Sequence, residues 1–206
     1  MAEISKMTIQ GIRSFSPREE KTIKFLKPLT IIVGDNGCGK TTIIECLKAG
    51  CTGDLPPECN RGQLFVTDPT FYPGKEVKGQ IKLELSCLDE SKVHCVRSYT
   101  VRATGTKLVF HSLDQTVKIV DKNGNTAADS KRVSDISQQI PRLLGMSRAI
   151  INNVIFCHQE ESNWPLSDRL ELKKRFDSIF ESTYYTKSLE ALKKERKEKV
   201  STRGGK

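Results

Sequence analysis

Gly34-Asp35-Asn36-Gly37-Cys38-Gly39-Lys40-Thr41 is the stretch on which the reading of this chain turns. It matches the phosphate-loop pattern G-x-x-x-x-G-K-[ST] at every specified position, and Thr42 follows. Before it, Leu29-Thr30-Ile31-Ile32-Val33 is a continuous apolar run that predicts a strand buried on both faces. After it, Ile43, Ile44 and Leu47 recur at helical spacing and predict a helix over 40–50 with Gly50 as its stop. Strand, glycine loop and helix form the context a phosphate loop requires. The glycines let the backbone curl so that successive N–H groups face phosphate oxygens, and the helix N-terminus adds partial positive charge. Lys40 then reaches the β- and γ-phosphates, Thr41 ligates Mg²⁺ and Thr42 touches the α-phosphate side.

On the N-terminal side, Ile4, Met7, Ile9 and Ile12 precede a polar turn at 16–20, and Ile23 and Phe25 follow it, all reading as strands. On the C-terminal side, 51–75 is rich in Pro, Gly, Asp and Thr and reads as loop. Period two returns in Val77, Ile81, Leu83 and Leu85, then in Val96, Val101, Leu108, Phe110, Val117 and Ile119. This predicts an antiparallel meander of about four strands over 76–121. A turn at 122–125, a helix over 131–144 and a short buried strand at Val154-Ile155-Phe156 complete a lobe spanning 1–166. From Ser167 to Lys199 there is neither Pro nor Gly, and Leu172, Phe176, Ile179, Phe180, Leu189 and Leu192 form an apolar stripe. A helix of about 32 residues would rise roughly 48 Å, long for a compact domain of this size. A charged surface helix and the root of a coiled-coil arm over 167–200 both fit. Residues 201–206 read as a linker or an appended tail.

The 206 residues suit one domain with an appendage, or a piece of a larger one. Hydrophobic residues make up 36%, enough for a core. No apolar run approaches the roughly 20 residues of a membrane span, and MAEISKMTIQGI lacks the apolar stretch of a signal peptide, so neither secretion nor membrane insertion is expected. The seven cysteines include no C-x-x-C pair and the three histidines are scattered, which argues against a disulfide framework or structural zinc and for reduced thiols in a cytosolic or nuclear protein. Cys157 and His158 are neighbours in sequence, but nucleophile–base pairs meet in space.

Hydrolysis needs a second acidic motif, an apolar strand ending in Asp. Leu85-Ser86-Cys87-Leu88-Asp89-Glu90 and Ile119-Val120-Asp121 alternate like half-buried strands and fit it poorly, and no Ser-Gly-Gly occurs. The nucleotide site is therefore expected to be incomplete. The net charge of +9 is compatible with nucleic acid or with a mixed surface. Basic residues recur at Arg97, Arg102, Lys107 and Lys118, at Lys131, Arg132, Arg142 and Arg148, and at Lys173, Lys174, Arg175 and Lys187. With no aromatic stripe among them, contact with duplex phosphates is expected rather than base readout.

Beyond the loop, Gly11-Ile12-Arg13-Ser14-Phe15, Phe65-Val66-Thr67-Asp68-Pro69 and above all Asn153-Val154-Ile155-Phe156-Cys157-His158-Gln159-Glu160-Glu161-Ser162-Asn163-Trp164-Pro165-Leu166 carry a resemblance. To about residue 200 the chain resembles the eukaryotic Rad-fifty family, SMC-like ABC-type ATPases of the MRN double-strand-break repair complex. The resemblance implies an α/β fold: an ABC-type N-terminal lobe with an antiparallel β subdomain, followed by the start of a long coiled-coil helix. In the family this lobe joins a C-terminal lobe carrying the signature motif, the Walker B aspartate and the catalytic glutamate. It also implies ATP and Mg²⁺ as ligands, with Arg13 near the nucleotide, Asn36, Gly37 and Gly39 at the phosphates, Val66 and Asp68 on the base and ribose side, and Gln159 contacting Mg²⁺ or the attacking water. Zinc is implied only at a coiled-coil apex outside this chain. The implied partners are the C-terminal lobe, a second head in an ATP-dependent homodimer, the nuclease subunit and double-stranded DNA, on chromosomes in the nucleus. A self-contained P-loop NTPase or nucleotide kinase, another SMC- or RecF-like chromosome ATPase, and a coiled-coil protein with a regulatory nucleotide are the alternatives.

Overall fold

The period-two pattern of 76–121 becomes the centre of a seven-stranded sheet whose pairings are all antiparallel. The computed structural model describes residues 3–57, 59–87, 90–105, 107–113, 115–129, 133–156, 164–166, 168–180 and 182–203. They fall into a first unit, Met1–Arg148, and a second, Ala149–Lys206. In the first unit, β1 (Glu3–Gln10), β2 (Lys21–Lys24), β3 (Glu76–Ser86), β4 (Lys92–Thr104), β6 (Thr116–Val120) and β7 (Thr126–Asp129) lie in the order β2-β1-β3-β4-β6-β7. The remaining strand, β5 (Lys107–Ser112), also pairs with β4. It takes residues 99–104 of β4 and β6 takes 92–96, so β5 and β6 share one side of β4 rather than following it as a regular meander.

The pleat sorts the side chains. Val77, Ile81, Leu83 and Leu85 of β3 and Val93, Cys95, Tyr99 and Val101 of β4 are buried on one face. Helix α1 (Lys40–Thr52) packs on β3 and β4, and α2 (Val133–Leu144) packs on α1. They contribute Ile43, Cys46 and Ala49, and Ile136, Ile140 and Leu144, to the same core.

Gly50 is not the stop of α1. It lies inside the helix, where a Cβ would come 2.4 Å from Leu83 Cδ1. The stop is Gly53, whose φ of 81° closes the helix by donating its N–H to the Ala49 carbonyl at 2.8 Å. A larger correction concerns Leu29–Val33, which forms no strand. Leu29, Ile31 and Val33 are 69%, 73% and 87% exposed. The composition is that of a doubly buried strand, but no described strand pairs with it, and an apolar run without ladder partners does not become sheet.

Arg97 is not a surface cation either. It is fully buried on the α1 face of β4, where Nε donates to the Gly50 carbonyl at 2.8 Å and Nη1 donates to Gln115 Oε1 and, at 3.4 Å, to Ser137 Oγ. It therefore ties the C-terminal end of the phosphate-loop helix to β4 and α2. The six described cysteines are all free thiols.

The short helix α3 (Arg148–Ile150) leads into a π-helical turn, Ile151–Ile155. This replaces the expected strand at 154–156. Phe156 donates its N–H to the Ile151 carbonyl at 2.9 Å, and Val154 and Ile155 are half exposed. Asn153 donates its side-chain amide to the Ala149 carbonyl at 2.9 Å, across one helical turn. The long helix read from Ser167 is two helices, α4 (Arg169–Ile179), capped by Asp168, and α5 (Ser182–Arg203). The rings of Phe176 and Phe180 stack at 6.0 Å at the end of the first. Helix α5 continues to Arg203, into the segment read as a linker. Cys157, His158, Asp89 and Ser167 lie outside the described residues. No described helix is long and apolar enough to cross a membrane.

Candidate nucleotide site

The loop 34–39 is held by its glycines and its lysine. Gly37 and Gly39 take φ of 86° and 87°, a left-handed conformation that costs a side-chain-bearing residue about 1–2 kcal/mol. A Cβ at Gly39 would also crowd Phe15 Cε2 at 3.2 Å and Ser14 Oγ at 3.4 Å. Gly39 is the N-cap of α1 and supplies no side-chain cap, and no acidic residue lies in the first turn. The start of this helix thus presents amide N–H groups and the positive end of its dipole with no carboxylate of its first turn to compete. Lys40 Nζ folds back onto the carbonyls of Gly34 and Asp35, at 2.7 Å each, and Asp35 O also accepts the Cys38 N–H at 3.3 Å. Asn36 and Gly37 stand exposed at the tip. Thr41 is exposed, whereas Thr42 is only 5% exposed.

This donor set fits a triphosphate. An uncapped helix end, loop amides and one lysine would supply positive charge to it, and the exposed Thr41 hydroxyl is an oxygen that could reach Mg²⁺. Among the described residues no cluster of three or more His, Cys, Asp or Glu could hold a metal without phosphate oxygens.

The segments 11–15 and 65–68 are stapled together beside this loop. Ile12 bridges Val66, Arg13 N–H donates to Phe65 O at 2.9 Å, and Thr67 Oγ1 donates to the carbonyls of Arg13 and Phe15 at 2.9 and 3.0 Å. Since Ser14 and Phe15 abut Gly39, the staple sets Arg13 against the first turns of α1. Its guanidinium pairs with Glu45 at 3.0 Å. Val66 is 3% exposed and packs in the core, and Asp68 spends Oδ1 on the N–H and hydroxyl of Thr70, at 2.8 and 2.7 Å. The structure therefore brings Arg13, Val66 and Asp68 together, with the Val66 side chain turned inward. Gln159, Lys131 and Arg132 lie outside the described residues.

Glu45 carries no motif and was missed by sequence reasoning. It is 4% exposed. Thr42, Glu45, Cys46, Ala49 and Thr52, all buried, fall on one helical stripe. A carboxylate on that stripe was the available signal. The basic residues divide. Register places Arg102, Lys107 and Lys118 on the face of the sheet opposite α1, with Lys107 opposite Thr104 and Lys118 opposite His94. Arg102 forms a two-pronged pair with Glu76, at 2.6 and 3.1 Å, which holds the Glu76 carboxyl below its ordinary value. Lys173, Lys174 and Lys187 are exposed on α4 and α5.

Residues 6–203 match the family model described as an AAA domain. The chain is 45% identical over 201 residues to "DNA repair protein RAD50" of Arabidopsis thaliana, covering 97% of this chain. It is 47% identical over 193 residues to "DNA repair protein rad50" of Schizosaccharomyces pombe, covering 94% of this chain. The chain spans about 15% of the length of these relatives. Among solved structures, one described as "Structural biochemistry of ATP-driven dimerization and DNA stimulated activation of SMC ATPases" superposes with a TM-score of 0.54 at 19% identity, over 85% of this chain and 98% of its own. An Smc head domain from Pyrococcus yayanosii superposes with a TM-score of 0.53 at 19% identity, over 96% of this chain and 36% of its own. The fold is that of an SMC-type ATPase head.

Proposed function

We propose, because this chain belongs to the AAA domain family, that it is the N-terminal half of a head that binds and hydrolyses ATP in double-strand-break repair. The uncapped N-terminus of α1, with left-handed Gly37 and Gly39 before it and Lys40 and Thr41 in its first turn, carries the reading. The loop amides and Lys40 bind the β- and γ-phosphates, Asn36 and Gly37 border them, and Thr42 contributes its N–H. Thr41, with Gln159, holds Mg²⁺, which when bound supplies charge neutralisation to the phosphates. Arg13, Val66 and Asp68 form the nucleoside side.

The lobe extends over 1–166 and the coil root over 167–200. The exposed apolar run Leu29–Val33 supports a second lobe: a C-terminal segment of the same protein supplies the missing ladder partners together with the signature motif and catalytic glutamate. Two such heads close on two ATP, contact duplex DNA through Arg102, Lys107, Lys118, Lys131, Arg132, Lys173, Lys174 and Lys187, and regulate a partner nuclease on nuclear chromosomes.

Phosphoryl transfer needs groups set around the attacking water and the leaving oxygen together. This chain by itself is accordingly expected to bind ATP weakly, stay monomeric and turn over negligibly. Steady-state ATPase and light scattering, with and without the C-terminal lobe, test this. Turnover and ATP-dependent dimers should arise only with the lobe. Turnover by the lone chain, abolished by changing Asp89 or Glu90, would instead establish a self-contained P-loop enzyme.

A further inference from the structure

The Arg13–Glu45 pair is built at some cost. Arg13 takes φ of 46°, a left-handed conformation unusual outside glycine. Glu45 is 4% exposed, whereas Arg13 is 31% exposed. Burying a carboxylate carries a desolvation penalty that its ion pair does not always repay. A stripe position on α1 would take an apolar residue more cheaply.

What the pair secures is orientation. The backbone of 11–15 is fixed by the staple to 65–67, and Ser14 and Phe15 touch Gly39 of the loop. The side chain of Arg13 is long, and arginine loses freedom in about four dihedrals when ordered. Glu45 fixes it through Nη1. A guanidinium has five N–H donors in a rigid fork, so pinning one edge leaves the other aimed and charged.

We propose that Glu45 is a positioning residue, holding the Arg13 guanidinium for the nucleoside and α-phosphate end of ATP. This deepens, and rests on, the nucleotide reading above. Glu45 touches no phosphate; it acts through Arg13. Electrostatics and positioning predict opposite signs here. By Coulomb's law alone, removing a negative charge from beside a polyanion site tightens binding. If Glu45 orients Arg13, its removal weakens binding.

The experiment is equilibrium titration of this chain with ATP, with thermal melts to verify folding. Glu45→Gln should weaken ATP binding about tenfold, as expected for the loss of one charge-assisted hydrogen bond. Arg13→Ala should weaken it to a similar degree, and the double variant should bind no worse than Arg13→Ala. Thr41→Ala should cost the same factor in the wild-type and Glu45→Gln backgrounds, which a general distortion of α1 would not allow. Unchanged or tighter binding by Glu45→Gln beside weakened Arg13→Ala overturns the proposal, and so do additive losses. If Lys40→Ala binds ATP like the wild type, the nucleotide reading itself has failed. Should Glu45→Gln lose its cooperative melt, Glu45→Asp, one methylene shorter, replaces it with the same expected and overturning results.

Discussion

Lys40 donates to two carbonyls of its own loop, both bonds lying at the surface. Exposed hydrogen bonds exchange readily for water and contribute about 1 kcal/mol or less to folding. The ammonium is worth far more to a phosphate, whose charge-assisted bonds are about twice as strong. Lys40→Ala should therefore abolish ATP binding while moving the melting temperature by only a few degrees. A folded variant that retains ATP affinity would refute the site. Lys40, Thr41 and the loop glycines could be named as a candidate phosphate loop from sequence because the proposed chemistry is local: the loop's amides, lysine and helix end come from one contiguous segment. Glu45 was not legible as a site residue, because its role depends on Arg13, 32 positions away and stapled in place by Thr67. Val66 and Asp68 were named only through resemblance, and the inward packing of Val66 against Gly79 and Ile12 had no signature in sequence.

At the scale of elements, period two was enough to find β3 and β4, because both carry one buried and one solvated face. It could not show that Arg97, at a buried register position, enters the core as a hydrogen-bonded cation under the end of α1. Nor could it reveal that the apolar run 29–33 has no described neighbour to pair with, since a strand's sequence does not state where its partner lies. The contact of α1 with β4 also has a pH signature. Burial pushes the Cys51 thiol up from near 9 to about 12, and burial raises Cys46, Cys95 and Tyr99 in the same direction. Below pH 9 the thiols are protonated in both folded and unfolded chains, and stability is whole. Above it the unfolded chain releases protons that the folded chain keeps, so stability falls as pH rises toward the folded value. The loss approaches about 1.4 kcal/mol per pH unit for each such group. Urea unfolding from pH 8 to 11 should show this decline, and Cys51→Ala should remove one proton from its slope. A stability flat across that range would show that these thiols are not buried as described.

At the scale of the whole molecule, the net charge of +9 counts for DNA only where it is exposed and unpaired. Arg97 is withdrawn into the core and Arg148 is tied to Asp54, so neither is free to contact a phosphate. On the face of the sheet opposite α1, Lys107 and Lys118 are exposed, while Arg102 is engaged by Glu76. If that face meets duplex phosphates, as proposed, Glu76 is a brake on it: the carboxylate both neutralises Arg102 and repels the polyanion. Glu76→Gln should therefore tighten binding to duplexes of unrelated sequence by similar factors. It should also steepen the dependence of log affinity on log salt by up to about 0.9, the value of one added phosphate contact. Lys107→Glu should do the reverse, weakening all sequences alike and flattening the slope. Binding measured by fluorescence anisotropy between about 50 and 200 mM salt separates the cases. If Glu76→Gln and Lys107→Glu leave both affinity and slope unchanged, the sheet face is not the DNA surface, and the exposed lysines of α4 and α5 become the ones to reverse.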